Sequence, residues 1–222
     1  MICAAVFDMD GILFDTERLY GEAWKKTAGL LGYQMDDRLF LSCVGRNARD
    51  TKLTVLKAMG EDFPYDDFYA RTDTWVRSYI ADYGPPEKPG AREILQFLSD
   101  RNIPAGLATS TGSDDAKGML EMAGFLRFFK ACVFGNEAAR GKPFPDIFLL
   151  ARDRLIQAAG FDIPADAIIV FEDSPPGLQA ASDAGMKPVF IKDLIDPPRE
   201  ILDRVWRSVP SFYDALSSDF WA

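Results

Sequence analysis

A chain of 222 residues with 48% hydrophobic and 27% charged positions has the make-up of a folded globule, one large domain or one carrying an insertion, and not of a disordered segment. Lys and Arg number 25 against 34 Asp and Glu, a net charge of −9, which argues against a nucleic-acid or anionic-membrane surface, since either needs a basic stripe. Histidine is absent, so catalytic triads, Cys–His dyads, His-ligated zinc and imidazole acid–base chemistry are excluded, and any enzyme here must work with carboxylates and lysine.

The apolar run Ile2–Phe7 reads as a first strand. Met1–Phe7 is too short for a secretory signal, lacks a basic start and leads straight into Asp8, so a cytoplasmic location is expected. No run approaches the ~20 apolar residues of a membrane span. Three helical patterns follow with no convincing strand among them. The first places Leu19, Ala23, Trp24, Thr27, Leu30 and Leu31 on one face and ends at Gly32. The second uses Leu53, Leu56 and Met59 and ends at Gly60; the third uses Phe68, Thr72, Trp75, Val76, Tyr79 and Ile80 and ends near Tyr83–Pro86. These are helix periodicities with helix stops.

From about residue 90 the rhythm changes. Helical patterns at Ala91–Asp100, Asp114–Ala123, Pro145–Ala159 and Pro175–Ala184 alternate with short apolar runs at Ala105–Ala108, Cys132–Phe134, Ala167–Phe171 and Val189–Ile191. Runs apolar on both faces suit strands of a parallel sheet covered on both sides. The expected fold is α/β: a doubly wound, Rossmann-like parallel sheet built from residues 1–15 and 84–222, with an all-helical domain inserted as residues 16–83. Cys3, Cys43 and Cys132 form no CxxC pair and read as reduced, packed thiols.

Four strand ends carry chemistry. Phe7-Asp8-Met9-Asp10-Gly11 sets two carboxylates two residues apart where open α/β sheets bind ligands. Adjacent like charges ask for a cation, and an all-oxygen donor set favours Mg²⁺; a turn with two solvated aspartates is the plainer alternative. Thr109-Ser110-Thr111-Gly112 runs from the next strand toward Ser113, read as a helix N-cap; hydroxyls at a helix start either cradle a phosphate or simply cap. Gly141-Lys142-Pro143-Phe144-Pro145-Asp146 holds a lysine on a proline-stiffened loop and is not a Walker loop, because Pro143 stands where Ser or Thr is required. Glu172-Asp173-Ser174-Pro175-Pro176-Gly177 is a second acidic strand end, with a helix-capping Asp as its plainer reading.

Taken in this order, the four segments resemble the haloacid dehalogenase-like hydrolase superfamily, specifically its beta-phosphoglucomutase-like branch with a helical cap. The matching stretches are Asp8–Glu17, Leu107–Ser110, Gly141–Phe148 and Phe171–Gly177, and the inserted helices correspond to the cap. The resemblance implies Asp8 as nucleophile and Asp10 as general acid and base, with Asp8, Asp173 and the Asp10 carbonyl holding Mg²⁺ and Glu172 beside the metal. It implies Thr109 and Lys142 on the transferring phosphoryl group. Substrate contacts are implied at Gly11, Thr16, Ser110 and Thr111 and, in the cap loop Leu41–Asn47, at Gly45, Arg46 and Asn47. Arg46 otherwise reads as a solvated helix-start residue, and Tyr20 and Phe40 either line the same pocket or pack in the cap.

The function implied is a Mg²⁺-dependent phosphatase, a monomer acting on a small phosphorylated metabolite such as a sugar phosphate, through an aspartyl-phosphate. A dehalogenase is disfavoured by Asp10, and a phosphonatase by the lack of a convincing Schiff-base lysine at Lys25 or Lys26. A phosphomutase of the beta-phosphoglucomutase type remains an alternative, but mutases of the branch carry a histidine after the first motif, where Asp15–Tyr20 has none. A catalytically idle regulatory binding protein is the alternative from another class.

Overall fold

The computed structural model describes residues 2–44 and 48–221, apart from the side chains of Ala48 and Ser218. Two compact units divide the chain: Met1–Phe14 with Glu87–Ala222, and Asp15–Pro86.

In the first unit, strands β1 (Ala4–Phe7), β2 (Ala105–Ala108), β3 (Phe129–Val133), β4 (Ile168–Glu172), β5 (Lys187–Ile191) and β6 (Arg207–Val209) form one sheet in the order β3-β2-β1-β4-β5-β6. Every pairing is parallel. This is the doubly wound Rossmann-like arrangement expected from the sequence, and its topological switch lies between β1 and β4. The first four residues of the sheet, Ala4–Phe7, are buried throughout, as are all five of β4. Small residues in β1 and β2 let helices lie close: Leu155 packs on Gly106, and Ile147, Phe148 and Ala151 join Val6, Val133 and Val170 in one core layer. On the opposite layer Phe7 stacks on Phe171 with centroids 4.9 Å apart, and Phe212 packs against both.

Two elements differ from expectation. β6 has no apolar run to announce it: Arg207-Ser208-Val209 is a half-exposed edge strand, held by its ladder to β5. β3 begins at Phe129, three residues before the apolar run, because the ladder to β2 reaches back to Phe129.

The helical unit contains α1 (Thr16–Leu30), α2 (Asp37–Cys43), α3 (Ala48–Met59) and α4 (Tyr65–Tyr83). Three of these match the expected helical patterns; α2 is an additional helix whose end, Leu41–Cys43, falls in the segment expected as the cap loop. It forms because the Asp36 carboxylate accepts the Leu39 N–H at 2.9 Å, and Phe40 and Cys43, one turn apart, are both buried. Trp24 is the anchor of this unit, edge-on to Phe40 at 5.2 Å and to Phe68 at 5.4 Å. Phe40 is therefore core of the unit, and Tyr20 turns its hydroxyl toward Asp73 at 3.5 Å. Truncating Trp24 to Ala is expected to cost about 3–5 kcal/mol, read as a lowered denaturation midpoint. Among the described residues no helix is long and apolar enough to cross a membrane.

The remaining helices, α5 (Ala91–Asp100), α6 (Ser113–Met122), α7 (Asp146–Ala159), α8 (Pro175–Asp183) and α9 (Arg199–Leu202), belong to the sheet unit. Ser113 does not cap α6. The N-cap is Gly112, and the Ser113 N–H is taken by the Asn136 side chain at 3.2 Å, which makes a serine cap unnecessary.

Candidate active site

At the carboxyl end of β1 the Asp8 N–H donates to the Phe171 carbonyl at 3.0 Å, carrying the β1–β4 ladder one residue further. The chain then folds back tightly, the Met9 carbonyl accepting from Leu13 at 2.8 Å and Phe14 at 3.1 Å. Gly11 sits in this loop at φ +76°, and a Cβ there would come within 2.4 Å of the Asp173 carboxylate. Only glycine meets both demands. The loop after β1 and the turn after β4 are thereby brought against each other.

That second turn is built around Glu172, which is 0% exposed. Its Oε2 accepts from the Asp173 N–H at 3.0 Å, the Ser174 N–H at 2.9 Å and the Ser174 hydroxyl at 2.9 Å. Its Oε1 accepts from Lys142 Nζ at 2.6 Å. Four protein donors, three on Oε2 and one on Oε1, thus fix the Glu172 carboxylate in place. Ser174 then caps α8, its hydroxyl oxygen accepting the Gly177 N–H at 3.2 Å. Asp173 is thus not the cap. Gly177 is a residue whose role the sequence reading missed: a Cβ there would lie 1.7 Å from Glu172 Oε1. The Ser-x-x-Gly spacing was its available signal. Gly177→Ala is expected to expel Glu172 from its place, lowering the melting temperature and abolishing activity together.

Lys142 reaches the same point from the loop before α7. Its side chain is 7% exposed, lies over the Phe148 ring at 5.1 Å and bonds Asp8 at 2.6 Å as well as Glu172. Two of its three donors are committed in this way. Burial opposes its charge, but Asp8 and Glu172 outweigh burial and hold its pKa above the ordinary lysine value. Asp8 is itself buried, and that burial, reinforced by the Glu172 and Asp10 carboxylates, pushes its pKa up against the pull of Lys142.

Asp8, Glu172 and Asp173 each offer an oxygen within 4.8 Å of the others. Asp10 differs from these three. Its carboxylate is outside that group and accepts the Thr111 hydroxyl at 2.6 Å. Thr109 is fully buried, its hydroxyl oxygen accepting the Thr111 N–H at 3.0 Å, and Ser110 is exposed. Asp8, Asp10, Gly11, Thr109, Thr111, Lys142, Glu172 and Asp173 therefore share the carboxyl edge of β1, β2 and β4. Thr16 belongs to the helical unit, where it is buried at the start of α1. Gly45, Arg46 and Asn47 lie outside the described residues. Among the described residues at this edge, four carboxylates, from Asp8, Asp10, Glu172 and Asp173, accompany one ammonium, that of Lys142, which bonds two of them. Such a site attracts a hard cation.

The profile of the haloacid dehalogenase-like hydrolase family matches residues 5–191. The chain belongs to this family. A phosphorylated carbohydrates phosphatase of Thermotoga maritima is 32% identical over 187 residues, covering 84% of this chain and 83% of its own. (DL)-Glycerol-3-phosphatase 2 of Arabidopsis thaliana is 30% identical over 223 residues, covering 95% of this chain and 89% of its own. Among solved structures, a Thermotoga maritima protein provisionally assigned as a beta-phosphoglucomutase superposes with a TM-score of 0.79 at 29% identity, over 97% of each chain. This haloacid dehalogenase-like hydrolase is thus of the beta-phosphoglucomutase-like branch.

Among the described residues, no cysteine belongs to the acidic group at this edge. Burial pushes the Cys132 thiol up to about 11, so it stays protonated at neutral pH. Alkylation by iodoacetamide at about pH 8, near the free-thiol pKa, is expected to label Cys132 far more slowly than a free cysteine, as followed by peptide mass spectrometry.

Proposed function

We propose that this phosphomonoester hydrolase cleaves a small phosphorylated metabolite of the sugar or polyol phosphate class, with Asp8 as nucleophile. The observation that carries the reading is the Lys142 ammonium bonded to Asp8 and Glu172 at 2.6 Å each, beside an acidic cluster. A buried carboxylate aimed from a strand end, with a fixed cation against it, is suited to attack a phosphoryl group whose anionic oxygens need compensation. The phosphatase relatives, named for phosphorylated carbohydrates and for glycerol 3-phosphate, support the substrate class.

The reaction is expected to run in two displacements. An Asp8 oxygen bonds to phosphorus as the bond to the leaving oxygen breaks, and protonated Asp10 gives that oxygen its proton. Water then attacks phosphorus, Asp10 takes the proton, the bond to Asp8 breaks, and inorganic phosphate departs. Lys142, with one donor uncommitted, and Thr109 are the groups proposed to hold the transferring oxygens. Asp8 and Asp173, with the Asp10 carbonyl, would hold Mg²⁺. Glu172 would support them from beside the metal, its carboxylate held in place by Lys142, Asp173 and Ser174. When bound, the ion would offset the repulsion between anionic nucleophile and anionic phosphate. The unit Asp15–Pro86 is proposed to serve as the cap that selects the substrate, and Arg46 as its contact.

Turnover of para-nitrophenyl phosphate with Mg²⁺ tests the reading directly. Release of nitrophenol that stops with chelator and returns with Mg²⁺ is the expected result, and a folded, metal-loaded protein without turnover would favour the idle binding protein. The likeness to the beta-phosphoglucomutase fold keeps a mutase as the second reading. Offered beta-glucose 1-phosphate with a trace of the 1,6-bisphosphate, the enzyme is expected to release phosphate or do nothing. Efficient conversion to glucose 6-phosphate without phosphate release would establish the mutase.

A further inference from the structure

We infer that Thr111 is a positioning residue for the general acid, and not a contact for the substrate phosphoryl group. The inference rests on the proposed reading of Asp10 as acid and base. Thr111 donates its hydroxyl to Asp10 Oδ2 at 2.6 Å, across 101 residues of sequence. Both backbone groups of Thr111 are also tied: its N–H donates to Thr109 Oγ1 at 3.0 Å, and its carbonyl accepts the Gly135 N–H at 3.0 Å. Thr109 in turn continues the β2–β3 ladder through its N–H to the Val133 carbonyl at 3.1 Å. A threonine pinned at both backbone groups presents its hydroxyl from a fixed point, anchored to the ends of β2 and β3.

The loop that carries Asp10 hangs from β1, the neighbouring strand, so the bond fixes one oxygen of the acid relative to the sheet. A carboxyl group turns about its terminal torsion with little resistance, and Thr111 removes that freedom on the Oδ2 side. Because the two carboxyl oxygens share one plane, the bond at Oδ2 also sets where Oδ1 lies. Misplacing a catalytic group by about 1 Å costs on the order of 100-fold in rate, which makes such a restraint worth its loss of solvation.

The experiment separates acid positioning from phosphate binding by the leaving group. Phenyl phosphate, whose phenol is about as weak an acid as tyrosine, near 10, needs protonation as it leaves; para-nitrophenyl phosphate does so far less. With Mg²⁺ present, kcat/KM, which reports the first displacement, is measured on both substrates for wild type, Thr111→Val, Thr111→Ser and Asp10→Asn. Thr111→Val is expected to lower kcat/KM for phenyl phosphate about tenfold more than for para-nitrophenyl phosphate, and Thr111→Ser, which keeps the hydroxyl, to restore it. Equal losses on the two substrates, a loss in KM alone, or no loss would overturn the assignment of Thr111. Asp10→Asn provides the control for the reading beneath it. If that variant shows the leaving-group selectivity and Thr111→Val does not, the positioning role alone fails. If neither does, Asp10 is not the acid and both fall.

Discussion

Asp8→Asn is expected to abolish turnover, by about 10⁴-fold or more, while leaving the protein folded. The amide has the size of the carboxylate it replaces and keeps an oxygen to accept from Lys142 Nζ, which bonds Asp8 at 2.6 Å in the native chain. It cannot form the acyl-phosphate bond. The stability effect carries a sign. Because the folded pKa of Asp8 is raised by burial and by Glu172 and Asp10, its ionisation works against the metal-free fold, and that cost grows as pH rises from the unfolded carboxylate value toward the folded one. The variant's metal-free melting temperature at neutral pH should therefore equal or exceed that of wild type, with a smaller rise on adding Mg²⁺. Steady-state turnover by a contamination-free preparation of the variant would remove Asp8 from its role.

Lys142→Ala is expected to damage both rate and stability. Its ammonium is bonded to two buried carboxylates, one of them the fully buried Glu172. Removing one partner of a buried charge pair typically costs about 3–5 kcal/mol, because the remaining charge is stranded. The rate should fall by about 100-fold or more, since an oriented cation is lost from the place where phosphoryl charge develops. Lys142→Met separates the terms: it keeps an unbranched side chain of similar reach without the charge, so a melting temperature as low as that of the alanine variant assigns the loss to charge. Chemical denaturation together with initial rates at saturating Mg²⁺ measures both. An unchanged rate with an unchanged melting temperature would remove Lys142 from both roles.

The two variants probe different links of one construction. Asp8 is delivered by β1, and Lys142 by a loop more than a hundred positions later in the chain; Glu172, from β4, holds the lysine where Asp8 needs it. Gly177 leaves the volume that Glu172 fills. Loss of any one member is expected to be felt by the others, so double variants within this set should be non-additive.

Local order was legible without a structure. Apolar runs such as Ala105–Ala108 and helical periods such as Ala91–Asp100 have the same bounds in sequence and structure, because burial on both faces of a strand, or on one face of a helix, leaves its period in the residues. The acidic, hydroxyl and lysine positions at the strand ends, and the family they point to, were legible for the same reason: each is a short contiguous segment. Elements whose stability comes from neighbours were not. β6 exists by pairing with β5, and α2 by the Asp36 bond and the burial of Phe40 and Cys43; neither leaves a strong period. What the tertiary structure alone decided is pairing across the chain. Asp8 and Asp10, two residues apart, were read as one pair, yet Asp8 is engaged by Lys142 and Asp10 by Thr111. Glu172, read as a carboxylate beside the metal, also holds Lys142. A sequence names the groups available at each strand end, but which donor meets which acceptor depends on distances of a few ångströms between segments that only the packed sheet brings together.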